Sequence, residues 1–444
     1  MRDLLLLVVY LVLCVCSFRA LPIWALIYMW TDLFQTQRLG YGFLAGKPLS
    51  MVFGVTALLS WFFIPNKPAR LTPGIAMLIL WSIWMTITTF NAVVPDAAWF
   101  KWDWAFKGTV FAIFLPYFFN TREEIEAAVL TLLCGVLGNI IAVGAKTTIS
   151  GGGYGVDFAL VSGGYGMTEG SILAMVAASI LPLLLWVGQH SVLVTPIWMR
   201  RLAVAGLIFL SAVASLGTFA RTGLVAMAVF AVFQFVRAKR KIVFVVVMVA
   251  ALSCVQGFMG DAWTERMSTM KNAGSETSAM GRVAAWMWTL QYVSEHPLGG
   301  GFDVYRINSV NIEMADGTIF VDRAKAFHSM YFEVLGEQGI PGIVLLFGML
   351  GWSFVSLGRV KKLARQHPGH EWLFDLAGAL RVAAVIYMAG GAFVGVAYIP
   401  YLWYLFGIGI ALRHYADRLG SGAGIPVDVG VRVGHRSSGG VKHA

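Results

Sequence analysis

The 444-residue chain is 58% apolar and only 13% charged, with a mean hydropathy of +0.73. A soluble domain carries about twice that charged fraction, so a set of soluble domains is excluded in favour of one integral membrane body. The formal net charge of +10 does not point to nucleic acid. Its main clusters, Arg200-Arg201, Arg237 to Lys241, Arg359 to Arg365 and the tail from Arg413, each abut the end of an apolar run, as cytoplasmic anchors do under the positive-inside rule.

In chain order, apolar runs fall near 3–17, 20–34, 48–64, 73–93, 105–119, 124–143, 170–188, 202–220, 223–237, 242–257, 339–357, 376–394 and 396–413. Many approach the ~20 residues that span a bilayer. They predict an all-α polytopic membrane protein with about 12–13 transmembrane helices, an integral domain over 1–418 and a disordered cytoplasmic tail over 419–444. The opening MRDLLLLVVYLVLCVC lacks a small-residue cleavage site and runs straight into the next apolar segment, so a cleaved signal peptide is not expected. The first two runs are joined by Phe18-Arg19-Ala20 and read either as one long tilted helix or as a hairpin, which leaves the side of the N-terminus open.

Placing the basic clusters 237–241 and 359–365 on the cytoplasmic side makes 258–327 a large extracytoplasmic loop and puts the 221–222 turn on the same side. Inside that loop Val283, Trp286, Met287, Leu290 and Val293 recur at helical spacing, predicting an interfacial amphipathic helix that ends near His296-Pro297. Two glycine-rich stretches, GGGYG at 151–155 and SGGYGMTEG at 162–170, permit close backbone approach to a ligand or serve as a flexible connector. Cys14, Cys16, Cys134 and Cys254 all lie in apolar runs and read as buried free thiols, with no metal motif.

Three residues in this quiet chain could carry chemistry. Arg221 sits in a turn between two apolar runs, where an arginine is either an interfacial anchor or an anion site. Arg282 opens the predicted amphipathic helix, where a cation gains little from the helix dipole but a docked phosphate would gain from both. His328 stands where the polar loop meets the next membrane run, and a neutral imidazole is the usual group for taking a proton from a hydroxyl. If 328–339 is helical, His328, Tyr331, Phe332, Leu335 and Gly339 share one face, and Glu333 and Glu337 lie near the other, placed to meet another helix or a basic residue. Two cations and a base without a carboxylate pair fit a reaction with a phosphate leaving group better than a two-carboxylate glycosidase scheme.

The ARTG turn at 220–223, SAMGRVAAW at 278–286, HPLGGGF at 296–302 and AFHSMYFEVLGEQGIPG at 326–342 together resemble the O-antigen ligase/polymerase superfamily of bacterial envelope enzymes. The O-antigen ligases and the related O-glycosylation ligases are the most similar branches, and the likeness is dense over 210–345. It implies a multi-pass inner-membrane enzyme with a periplasmic active site and no cofactor or metal. Such an enzyme moves a glycan, with inversion, from undecaprenyl pyrophosphate to a hydroxyl of lipid A–core. The resemblance maps the essential histidine onto His328 and the diphosphate-binding arginines onto Arg221 and Arg282; Tyr331 and Arg306 are further candidate lining residues. This chain departs from the pattern at Ala220, where serine is common, and at Ser329, where asparagine is common. A protein hydroxyl or a growing glycan are alternative acceptors, which would make the enzyme a protein O-oligosaccharyltransferase or an O-antigen polymerase. A transporter of an anionic lipid or sugar is the rival of a different class, disfavoured because no internal repeat is visible.

Overall fold

The computed structural model describes residues 2–36, 42–64, 71–152, 169–250, 253, 277–313 and 319–422. Among the described residues, each apolar run lies largely on a helix. In order these are α1 (Arg2–Ser17), α2 (Pro22–Phe34), α3 (Leu49–Trp61), α4 (Pro73–Phe90), α5 (Pro95–Phe114), α6 (Arg122–Ser150), α7 (Gly170–Ser179), α8 (Leu181–His190), α9 (Ile197–Gly217), α10 (Arg221–Arg237) and α11 (Lys241–Ala250). After these come α12 (Thr277–Glu295), α13 (Met330–Gln366), α14 (Glu371–Gly391) and α15 (Pro400–Gly420). Among the described residues, six stretches are long and apolar enough to cross a membrane: α4, α6, α7 with α8, α9, α13 and α14. The chain is an all-α polytopic membrane protein.

Local chemistry sets the helix starts. Thr121 and Glu124 form a capping box on α6, the Thr121 hydroxyl accepting from Glu124 N at 3.2 Å and the Glu124 carboxylate accepting from Thr121 N at 3.0 Å. Proline opens α4, α5 and α15, where its missing N–H would be unpaired anyway. Pro95 thereby starts α5 ten residues before the apolar run at 105. The first two runs form a hairpin, joined by the Tyr10 hydroxyl 3.0 Å from Thr31 Oγ1. Cys14, Cys16 and Cys134 are free, but Cys16 and Cys134 lie on the outer surface of the helices and not in the core. Cys254 falls outside the described residues.

The centre of the bundle is α15, buried along nearly its whole length. It packs on α13, α5 and α14, and Trp403 and Tyr398 stack against Trp81 of α4 with ring centroids 5.6 and 6.1 Å apart. Successive helices reverse direction. One end of the bundle therefore gathers the starts of α5, α7, α10, α13 and α15 with the ends of α4, α9 and α14. The other end holds Arg122, bonded to His190 O at 2.8 Å, and Arg418, bonded to Asn120 Oδ1 at 3.0 Å. Loop 258–327 is less featureless than its sequence suggests. Beyond α12 it folds a small antiparallel hairpin, β1 (Ser309–Glu313) and β2 (Ile319–Arg323), with Ser309 opposite Arg323.

The first of the two ends is organised by a broken helix. At Gly339 (φ 66°, ψ −163°) α13 leaves helical geometry and then resumes. A break inside a membrane helix frees backbone groups that must find partners. Here the segment His296–Phe302 (HPLGGGF) supplies most of them. Gly300 N donates to Gly336 O at 3.0 Å, Gly301 N donates to Glu337 O at 3.0 Å, and Ile340 N donates to Pro297 O at 2.9 Å. Trp84 of α4 completes the set, its indole N–H donating to Gln338 O at 2.8 Å. The fit leaves no room for side chains: a Cβ on Gly339 would sit 2.4 Å from Leu298 C, and one on Gly299 2.5 Å from Gly339 N. This contact explains why a glycine triplet and an interrupted helix occur together in one sequence.

Residues 153–168, 254–276 and 423–444, which hold most of the glycine-rich stretches, the start of the large loop and the tail, lie outside the described residues. The last helix continues through Gly420, two residues beyond the expected boundary at 418.

Candidate functional site

The clamp at Gly339 fixes the floor of a cavity of about 390 Å³. Lys101 of α5 stands at its centre, with Nζ 2.8 Å from Glu333 Oε1, 2.8 Å from Glu337 Oε1 and 3.6 Å from Asp303 Oδ1. Glu333 and Glu337 are one turn apart on α13, so both carboxylates reach the same ammonium. Each is also held by backbone: Asp303 N donates to Glu337 Oε1 at 2.9 Å, and Ala397 N donates to Glu333 Oε2 at 3.1 Å. Below them Lys101 lies 5.0 Å from the ring centre of Tyr398 and 5.7 Å from that of Phe302. Arg306 donates from Nε to the outer oxygen of Asp303 at 3.1 Å. Three carboxyl groups thus share two cations. The glutamates do meet a basic residue on another helix, as their spacing suggested.

His328 stands on the wall above this floor. It does not lie on a helix with Tyr331 and Phe332, because α13 begins two residues later at Met330. Its backbone adopts φ 47°, the left-handed region that is uncommon for a residue with a side chain. The neighbours hold it there. Phe327 and Ser329 are buried on either side, and Trp286 of α12 donates its indole N–H to Phe327 O at 2.7 Å. Trp286 also stacks flat on Phe332, with centroids 5.0 Å apart. On the loop side, Asn308 bonds Lys325 N and O, each at 2.8 Å, fixing the segment that leads into the histidine. Burial, with Arg282 and Lys325 nearby, pushes the His328 ring below the usual histidine value of 6.5, which disfavours its protonated form.

Arg282 is in the second turn of α12, which starts at Thr277 and not at Arg282 as its sequence position suggested. The free N–H groups of that helix start, on residues 277–280, therefore all precede it in the chain. The side chain is half-buried and lies within electrostatic reach of both His328 and Glu169. Glu169, the cap residue of α7, also lines the cavity; burial raises its carboxyl above the usual range, opposed by a bond from Ser171 and by Arg282. Arg221 is the first residue of α10, and the close seat of Gly223 on Ser215 and Ala174 puts it at the same end of the bundle as the start of α7. Arg221 and Arg282 are not among the cavity-lining residues, whereas Arg306 and His328 are. Tyr331 points elsewhere: its hydroxyl donates to Met388 O at 3.0 Å and its ring stacks on Phe347.

The apolar stripe of α12 divides in two. Val293 is buried together with Ala285 and Thr289, while Val283, Met287 and Leu290 stay exposed. An exposed apolar row on a helix packed against α13 suits an interfacial position. Lys101, Asp303 and Glu169 are site residues that the sequence reading passed over. Lys101 had one signal, a lone lysine among aromatics in AWFKWDW.

Residues 206–347, from α9 to the middle of α13, match the family described as O-Antigen ligase. The match covers this segment alone and supports the O-antigen ligase superfamily for it. The ligase segment contains Arg221, Arg282, Arg306 and His328, and it ends just beyond the clamp at Gly339. Residues 1–192 match a family of unknown function, so Lys101 and Glu169 reach the site from outside the ligase segment. No curated protein matches the chain. The superfamily joins the chain to membrane enzymes of the glycosyltransferase type.

Proposed function

We propose that the chain is an O-antigen ligase that transfers a glycan from undecaprenyl pyrophosphate to a hydroxyl of lipid A–core, with its site facing the periplasm of the inner membrane. The observation that carries this reading is the placement of His328: held by a left-handed turn on a cavity wall, with burial and the nearby Arg282 favouring the neutral form of its ring. His328 takes the proton from the acceptor hydroxyl as its oxygen attacks the anomeric carbon. The bond from that carbon to the pyrophosphate breaks, its electron pair leaves with the diphosphate, and the configuration inverts. Arg221 and Arg282 hold the diphosphate and offset the charge that develops on it. The fixed donors and acceptors of the floor, Lys101, Arg306 and Asp303, are placed to meet sugar hydroxyls.

Orientation rests on charge. The basic clusters at Arg237–Lys241 and Arg359–Arg365 lie at helix ends opposite the His328 end, which matches a cytoplasmic side there. The deciding experiment is His328→Ala in the intact protein. Removing a general base costs about 10²–10⁴-fold in rate, so ligated product should vanish while the protein still inserts and unfolds at the wild-type midpoint. Normal product from that variant would refute the mechanism. Purified protein given one lipid-linked glycan and, separately, lipid A–core, an acceptor peptide and a second donor glycan distinguishes ligase, protein transferase and polymerase.

A further inference from the structure

A second polar site lies at the opposite end of the bundle, between α10, α13 and α14. Two adjoining cavities of about 500 and 340 Å³ share Arg237 and Lys361 in their walls. Gly378 of α14 lets these cations meet: a Cβ there would sit 3.1 Å from Arg237 Nη2 and 3.8 Å from Lys361 Nζ, so both nitrogens converge above one glycine. Arg381 lines the smaller cavity, with its guanidinium 5.3 Å from the ring centre of Phe354. Arg365 and Lys361 both lie over Phe374, at 4.8 and 4.3 Å. Lys361 is within electrostatic reach of Arg237, Arg381 and Arg365, and also of Asp375, whose opposing effect is the smallest of these. Among the described residues no carboxylate forms an ion pair with any of the four; the one acid on the wall, Asp375, bonds His190 Nε2 at 2.8 Å.

We propose that this cleft binds the phosphate headgroup of an anionic phospholipid, with Arg237, Lys361 and Arg381 as its ligands. Like charges that converge in a partly desolvated cleft oppose one another, and an anion among them removes that cost. Simple topological anchors need no such convergence, since each works alone at the surface. Nor do they need depth. Arg381 is the eleventh residue of α14, about 15 Å along the axis from the helix start, where it is half-buried. The upper wall of the smaller cavity is apolar, built from Phe233, Val236, Phe354, Val382 and Val385, and Val236 and Val355, the residue after Phe354, are both exposed on the outer surface. An acyl chain can follow that wall while its phosphate meets the cations, the arrangement of a basic pocket between transmembrane helices. A free phosphate would use only the lower half.

The test uses the full-length protein in neutral detergent, with phosphatidylglycerol, phosphatidylcholine or glycerol phosphate as probe, read by native mass spectrometry. Wild type should retain phosphatidylglycerol and not phosphatidylcholine, and excess glycerol phosphate should not displace it. Lys361→Gln combined with Arg381→Gln should lower the retained phosphatidylglycerol at least fivefold. Lys239→Gln combined with Arg240→Gln removes the same charge from the nearby loop and should leave it unchanged. Equal retention by the first pair, equal loss in both pairs, or ready displacement by glycerol phosphate would each overturn the proposal. Gly378→Ala guards against a folding artefact. It narrows the meeting point of Arg237 and Lys361 without removing charge, and it should also lower retention; unchanged retention there counts against the site.

Discussion

Lys101→Met removes the ammonium and keeps most of the side-chain volume. In the native protein Nζ lies 2.8 Å from both Glu333 and Glu337, and the Glu337 side chain has no exposed surface. Breaking a buried pair from one side strands the charges left behind, at about 3–5 kcal/mol. That range applies here because Glu333 and Glu337 lose their shared partner at once, while Asp303 keeps Arg306. Denaturant unfolding in detergent should show the loss as a lower midpoint. Adding Glu337→Gln should recover part of it, since the amide oxygen can still accept from Asp303 N and one buried charge disappears. Transfer activity should fall by about 10²-fold, the scale of a small displacement of positioned groups. An unfolding midpoint equal to wild type in Lys101→Met would refute the idea that this cation organises the floor. So would a double variant less stable than the single one.

Arg282→Gln removes one of the charges that hold the His328 ring below 6.5, so the acid limb of the rate profile should move to higher pH. An acid limb that stays put or moves down would break the electrostatic link between the two residues. The same depressed ring makes the folded protein bind protons less readily than the unfolded chain. Its stability contribution is complete above about 6.5 and is lost as pH falls below that value; unfolding midpoints between pH 5 and 7 should slope accordingly, and the slope should flatten in His328→Ala. Gly339→Ala combines a left-handed backbone with a Cβ only 2.4 Å from Leu298 C and should destabilise by more than about 3 kcal/mol. Gly348→Ala, where a Cβ meets nothing within 4 Å, should change stability by no more than about 1 kcal/mol.

The helices were legible because a bilayer imposes a length and an apolar content that no soluble context demands. Runs such as 170–188 and 376–394 announced α7 with α8 and α14. Boundaries were harder where polar residues continue a helix beyond its apolar part, and α5 lost ten residues to that effect. The floor of the site was not legible. Lys101 pairs with acids 232 and 236 positions away, and no local pattern carries such a distance. His328 was found by residue type and position, yet its placement was misread because helical periodicity was extended across a left-handed turn. The Gly and Pro of GEQGIPG mark the break in α13, but nothing local marks that the glycines of HPLGGGF close the gap.

That closure gives the protein an internal gauge. The amides of Gly300, Gly301 and Ile340 bond across the break in α13, and none of the three bonds involves a side chain. Their deuterium uptake therefore reports only whether the loop and the helix remain joined. The loop also delivers Asp303 to Lys101, so an opened joint would separate an acid of the floor from its cation. Slow uptake that persists during turnover would mean the floor is a fixed template on which substrates are exchanged. Uptake that quickens with donor present would mean the template is rebuilt in every cycle.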